Sequence, residues 1–205
     1  IDSLLVPKTD WDIWRLEKIN GEWANPERLG SEINSDTDDV YPCLTEDGTL
    51  YFSSGKNGGN NRDIFYASSK GDGFESAVKL SETINAFWAG DLYISPNEDY
   101  MIFRSYGRPA GNGLYITFRQ DEDWTDPQNM GKEINKTGAE YCPMVDPDGK
   151  YFFFTSRHII AKEESGEKLT YQKIKDDFAK TYKHPGLGRS DIYWVSADII
   201  EEYRK

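Results

Sequence analysis

Between Tyr41 and Asn85 the chain reads YPCLTEDGTLYFSSGKNGGNNRDIFYASSKGDGFESAVKLSETIN. An apolar run is followed by a D-G turn, an aromatic run, a Gly/Asn-rich loop, the triplet Asp63-Ile64-Phe65, and a last run ending in Ile84-Asn85. The same plan recurs on both sides. Trp23, Phe74 and Trp124 lie 51 and 50 residues apart, as do Leu29, Leu80 and Met130, then Ile33, Ile84 and Ile134, then Asn34, Asn85 and Asn135. Asp12-Ile13-Trp14 and Gly113-Leu114-Tyr115 stand in register with Asp63-Ile64-Phe65. The turn Glu46-Asp47-Gly48 returns as Pro96-Asn97-Glu98 and as Pro147-Asp148-Gly149. A fixed period of that size is the mark of a solenoid or a propeller.

The content of each unit separates the two. Every copy holds short runs of Tyr, Phe, Ile, Val and Trp punctuated by D-G, G-G-N-N or D-P, which are strand and turn signals. No 3.6-residue period runs through them, so helical solenoids are disfavoured. Four strands per unit with a periodic Gly/aromatic pattern describe one blade of a β-propeller. The expected fold is therefore all-β, built of four-stranded antiparallel blades. Residues 1–39 read as a partial blade, 40–89 and 90–139 as complete blades, and 140–205 as a last blade.

Within the partial blade, Leu4 to Val6, Asp12 to Leu16 and Trp23 to Leu29 are the expected strands. In the last blade the strands are Tyr141 to Val145, Tyr151 to Thr155 and Asp191 to Val195, the third delayed by an insertion over 158–190. Leu169, Ile174, Phe178 and Tyr182 share one face of a helix there. That insertion is either a functional loop or a plug over an edge or channel mouth. The segment Ser196 to Tyr203 leans toward a short helix. The inner strand of the partial blade is missing, and two open terminal sheets would expose apolar surface on the order of 400–600 Å². At about 25 cal/mol per Å² this is comparable with the whole stability of a domain. Upstream blades, for six in all, or a second chain are expected to close the ring.

The net charge is −12. That disfavours a nucleic-acid partner and favours cationic ones. No apolar run reaches the length of a membrane span, so membrane insertion is not expected. Cys43 and Cys142 fall in units separated by a whole unit and read as two small buried apolar residues, not as a disulfide.

The repeat unit resembles the WD40-like repeats of the TolB-type propeller family. The phrases that carry the likeness are TEDGTLYFSS with RDIFYAS, SPNEDYMIFRS with NGLYITF, and DPDGKYFFFTS with SDIYWVS. Asn97-Glu98 departs from the D-G of that pattern, and Gly113 stands where it has Asp. The resemblance implies a bacterial periplasmic or extracellular protein, longer by one to two blades.

Little in the sequence carries chemistry. The two histidines, His158 and His184, both lie in the insertion, and no Gly-x-Ser-x-Gly elbow is present. Ser35 to Asp39 and Asp121 to Asp126 are acidic, yet neither has the D-x-D-x-D-G loop of a calcium site; a structural Ca²⁺ is not indicated, and no cofactor or metal is expected. Function in such a fold sits on the loops entering the inner strands and joining the second and third. Asp39, Trp88, Asp91, Arg108, Glu140 and Arg157 fall there and are the candidate partner-binding residues. Lys56 and Arg157 read as hairpin-closing partners of Asp63 and Asp191, leaving Arg108, opposite Gly113, as the freest cation. The leading function is a non-catalytic scaffold for a protein, peptide or cell-envelope polymer. The alternative is a glycan-active hydrolase or lyase using Asp39 and Glu140 as acid and base.

Overall fold

The computed structural model describes residues 10–56, 62–157, 171–172, 175–176 and 190–204. The chain is mostly β, with antiparallel sheets that follow one another along the sequence. The first is the hairpin of β1 (Trp14–Ile19) and β2 (Glu22–Arg28). The second joins β3 (Asp39–Leu44), β4 (Leu50–Ser54), β5 (Asp63–Ala67) and β8 (Val78–Lys79), with the small ribbon of β6 (Ser69–Lys70) and β7 (Gly73–Phe74) between the last two. A helical turn, α1 (Glu82–Asn85), leads to the third sheet. Its strands are β9 (Trp88–Ile94), β10 (Tyr100–Tyr106), β11 (Gly113–Gln120), β12 (Asp123–Trp124) and β13 (Gln128–Asn129). After α2 (Gly131–Ile134), β14 (Tyr141–Val145), β15 (Tyr151–Arg157) and β16 (Ser190–Ser196) form the fourth sheet, and a 3-10 helix, Ala197–Tyr203, follows.

The apolar runs do not alternate with polar residues because β4, β5, β10 and most of β11 are buried on both faces. Tyr51 and Ile64 of the second sheet meet Met101, Phe103 and Tyr115 of the third in one core. Leu50, Phe52, Phe65 and Ala67 turn the other way, toward Ile13 and Leu29. In the third sheet Ile102, Leu114, Ile116 and Phe118 face Val145, Phe152 and Phe154 of the fourth. Odd and even positions of one strand therefore serve two different cores. Each buried aromatic or aliphatic side chain contributes about 1.5–3 kcal/mol. The outer faces of the first and fourth sheets have no such cover among the described residues: Trp14 and Trp23 are exposed on one, Met144, Ile192 and Trp194 on the other. Trp23 thus differs from Trp124, 101 residues further along the chain, which is buried.

The repeated asparagine holds each sheet to the turn that leaves it. Asn85 Oδ1 accepts the Ile64 N–H at 2.8 Å, and its Nδ2 donates to the carbonyls of Ile64 and Leu80, both at 3.0 Å. Asn34 makes the same three bonds to Ile13 and Leu29. Asn135 caps Leu114 likewise but donates its third bond to Asn129 Oδ1. The backbone and this amide together exclude a side chain at Gly113. Its φ is +128°, and a Cβ there would come within 2.4 Å of Asn135 Oδ1. Asp12 pairs with Arg28 and Asp63 with Lys79, whereas the corresponding positions of the third sheet hold Gly113 and the uncharged Asn129.

Several sequence expectations require correction. Cys142 is exposed, not buried, and Cys43 is half-buried; both are free thiols. Lys56 lies 4.0 Å from the Phe65 ring centroid and 5.3 Å from that of Phe52, rather than closing the hairpin as the partner of Asp63. The strand expected at Leu4 to Val6, most of the 158–190 insertion and both histidines lie outside the described residues, although 171–172 and 175–176 are helical. Among the described residues no helix is long and apolar enough to cross a membrane.

Removing the Asn85 side chain leaves the Ile64 N–H and two carbonyls buried without partners, at about 1–3 kcal/mol for each unsatisfied group. Asn85→Ala is expected to lower stability by roughly 3 kcal/mol or more in urea denaturation. A loss under about 1 kcal/mol would mean that the asparagine is incidental to the sheet.

Candidate functional site

Each sheet's first long strand carries the same irregularity. The register of β3 shifts between Val40 and Cys43, that of β9 at Asp91, and that of β14 between Tyr141 and Met144. At these bulges Tyr41, Asp91 and Cys142 adopt φ values of 56°, 51° and 50°. Left-handed backbone at a non-glycine residue costs about 1–2 kcal/mol, and such strain gathers at functional positions. The bulges also join one sheet to the next, since Asp91 Oδ2 accepts the Cys142 N–H at 2.9 Å.

Around these bulges lies a cluster of cations and rings. The Arg62 guanidinium stands 5.9 Å from the Tyr41 ring centroid and pairs with Asp38 at 3.0 Å. Arg104 sits 4.5 Å from the Tyr106 ring and 5.4 Å from that of Tyr141. Trp88 meets Tyr106 edge-on at 5.1 Å. Arg104 is half-buried, yet among the described residues it makes no hydrogen bond or ion pair, and its buried Nε has no acceptor. Burial lowers its pKa, while Asp91 and Tyr41 favour the charge and Arg157 opposes it. Burial likewise raises the pKa of Asp91, against the hydrogen bond from Cys142 and the charges of Arg104 and Arg62. Desolvation and the nearby Asp91 charge push the Cys142 thiol up to about 11, so it is protonated at neutral pH and is a poor nucleophile.

Of the six residues singled out from the sequence, Trp88, Asp91 and Arg157 gather around Arg104. Arg108 does not stand free. It donates to Ser105 Oγ at 3.0 Å and to the carbonyls of Thr83 and Ile84 at 3.3 and 2.6 Å, tying α1 to β10. Asp39 and Glu140 are also held structurally. Asp39 Oδ2 accepts from Ser35 N and Oγ at 2.6 and 2.9 Å. Glu140 Oε1 accepts from Thr137 N and Oγ1, both at 2.9 Å, and from Ser156 Oγ at 2.8 Å. Both residues are almost fully buried, and among the described residues Asp39 Oδ1 and Glu140 Oε2 find no hydrogen-bond partner. The third sheet, with Ala89 at the matching position, stands between them.

The acidic runs serve as hydrogen-bond acceptors. Asp38 takes the Trp11 N–H and Arg62, and Asp123 takes Ser81 Oγ and the Trp124 N–H. Among the described residues, no three His, Cys, Asp or Glu side chains are grouped to hold a metal ion. At the other end of the strands a cleft of about 670 Å³ opens between the second and third sheets, lined by Tyr51, Tyr66, Arg119 and Trp124 among others.

Sequence reading overlooked Arg104, although a signal was present. Ser53 and Thr155, each 51 residues away, carry small hydroxyls, and a long cation stands between them at the same spacing. No protein-family model matches the chain, and the search of curated proteins found no match.

Two outcomes test the electrostatic reading. An unpaired, half-buried charge opposes folding, so Arg104→Met is expected to raise the melting temperature, whereas Arg108→Ala, which loses three hydrogen bonds, is expected to lower it; equal effects from both would contradict the distinction. Burial alone would raise the pKa of Glu140, but the bonds from Thr137 and Ser156 together outweigh it and lower it. Glu140 therefore stabilises the fold above the ordinary glutamate pKa, and this contribution is lost as pH falls through the lower folded-state value. Glu140→Gln should flatten the acid limb of a stability–pH curve, and an unchanged limb would refute the assignment.

Proposed function

We propose that the chain is part of a β-propeller, similar to the TolB type, that acts as a non-catalytic scaffold. In this reading the four sheets are blades of a ring of about six, and the bulged strands β3, β9 and β14 line a central channel. The exposed Trp14, Trp23, Ile192 and Trp194 mark faces for further blades, supplied upstream or by a second chain. The ligand is a protein, peptide or cell-envelope polymer in the periplasm or outside the cell, met at the channel mouth. The observation that carries this reading is the unpartnered Arg104 between tyrosine rings at the strained end of the inner strands. Asp39 and Glu140, engaged by Ser35, Thr137 and Ser156 and almost without exposure, are poorly presented for acid–base chemistry.

The test is a binding screen of the purified protein against peptide and envelope-glycan arrays, with Trp88→Ala/Arg157→Ala alongside. Binding is expected in the parent, with roughly tenfold or greater loss in the variant at unchanged melting temperature. Glycan turnover that disappears in Asp39→Asn or Glu140→Gln would defeat the scaffold reading in favour of the enzyme.

A further inference from the structure

Resting on the binding reading above, we propose that Arg104 anchors a single carboxylate of a peptide ligand, the C-terminal carboxylate of a neutral or basic segment. The guanidinium lies against two rings, Tyr106 at 4.5 Å and Tyr141 at 5.4 Å, so aromatic contacts already occupy part of its surroundings. Among the described residues its N–H groups make no protein hydrogen bond, and Nε is buried without an acceptor. A planar fork of N–H donors with no partner matches a planar acceptor of two oxygens.

Charge selects among such acceptors. The charged groups that act on Arg104 are Asp91 and Arg157, so these two and Arg104 together leave one net positive charge at the guanidinium. That balance suits a monoanion. A phosphate dianion would leave negative charge uncompensated beside Asp91. A polyuronate or other repeatedly charged glycan would meet the field of a chain carrying −12. A peptide with one terminal carboxylate and basic residues behind it gains from both the local and the overall charge. The half-buried Trp88 and the exposed Tyr41 ring offer apolar area for its last side chains.

The experiment is calorimetric titration of the protein with a lysine-containing decapeptide ending in an apolar residue, as free acid and as C-terminal amide. Polygalacturonate is the glycan control. The free acid is expected to bind roughly tenfold or more tightly than the amide, the worth of a charge-assisted pair of hydrogen bonds. Arg104→Gln should abolish that difference, and Arg104→Lys, which keeps the charge without the fork, should restore only part of it; circular dichroism checks that both remain folded. Equal affinity for acid and amide, or an undiminished preference in Arg104→Gln, overturns the carboxylate anchor while leaving the scaffold reading intact. Preference for polygalacturonate overturns the peptide assignment. No binding in either this titration or the arrays removes the scaffold reading itself.

Discussion

One side-chain amide, repeated three times, is the constraint on which the architecture depends. Asn34, Asn85 and Asn135 each stand at the end of a turn and reach back to Ile13, just before β1, or to the second residue of β5 or β11, satisfying its N–H and C=O together. A strand at the rim of a sheet would otherwise leave those groups to water or bury them unpaired. Each amide also fixes where the turn leaves one sheet, and so where the next begins. The buried Ile33, Ile84 and Ile134 beside them plug the turns from within.

Given that spacing, core formation follows from strand geometry. Side chains on opposite faces of the second and third sheets enter different cores, so each of those cores is shared by two sheets. The arrangement explains why a strand such as Met101–Phe103 is apolar at successive positions. It also places the strained bulges of three neighbouring sheets at one end of their strands, where Asp91 of one meets the backbone of Cys142 in the next.

Strand positions were readable in the sequence because turn chemistry and period agreed. Tyr141–Val145 matches the expected strand to the residue, and β1 and β2 fall within a few residues of their expected places. The candidate site was less legible. Distance along the chain says nothing about whether a cation has found carbonyls, which is how Arg108 was mistaken for a free group and Arg104 passed over. Nor does apolar character reveal which face remains uncovered: Trp23 and Trp124 are identical in sequence terms, but only Trp124 has a neighbouring sheet above it. The bulges were invisible too, since Tyr, Asp and Cys share no propensity for left-handed backbone that a sequence pattern could register.

That last point bears on how such a protein changes over evolutionary time. Tyr41, Asp91 and Cys142 keep one backbone shape while presenting a phenol, a carboxylate and a thiol. The conformation is dictated by the surrounding ladder and not by the residue that adopts it. Where the side chain makes no bond between sheets, a slot of this kind can exchange its chemical group while the backbone stays the same, with β-branched residues the ones the geometry most strongly bars. At Tyr41 and Cys142 the side chain can thus vary without renegotiating the backbone, whereas at Asp91 it also holds the neighbouring strand.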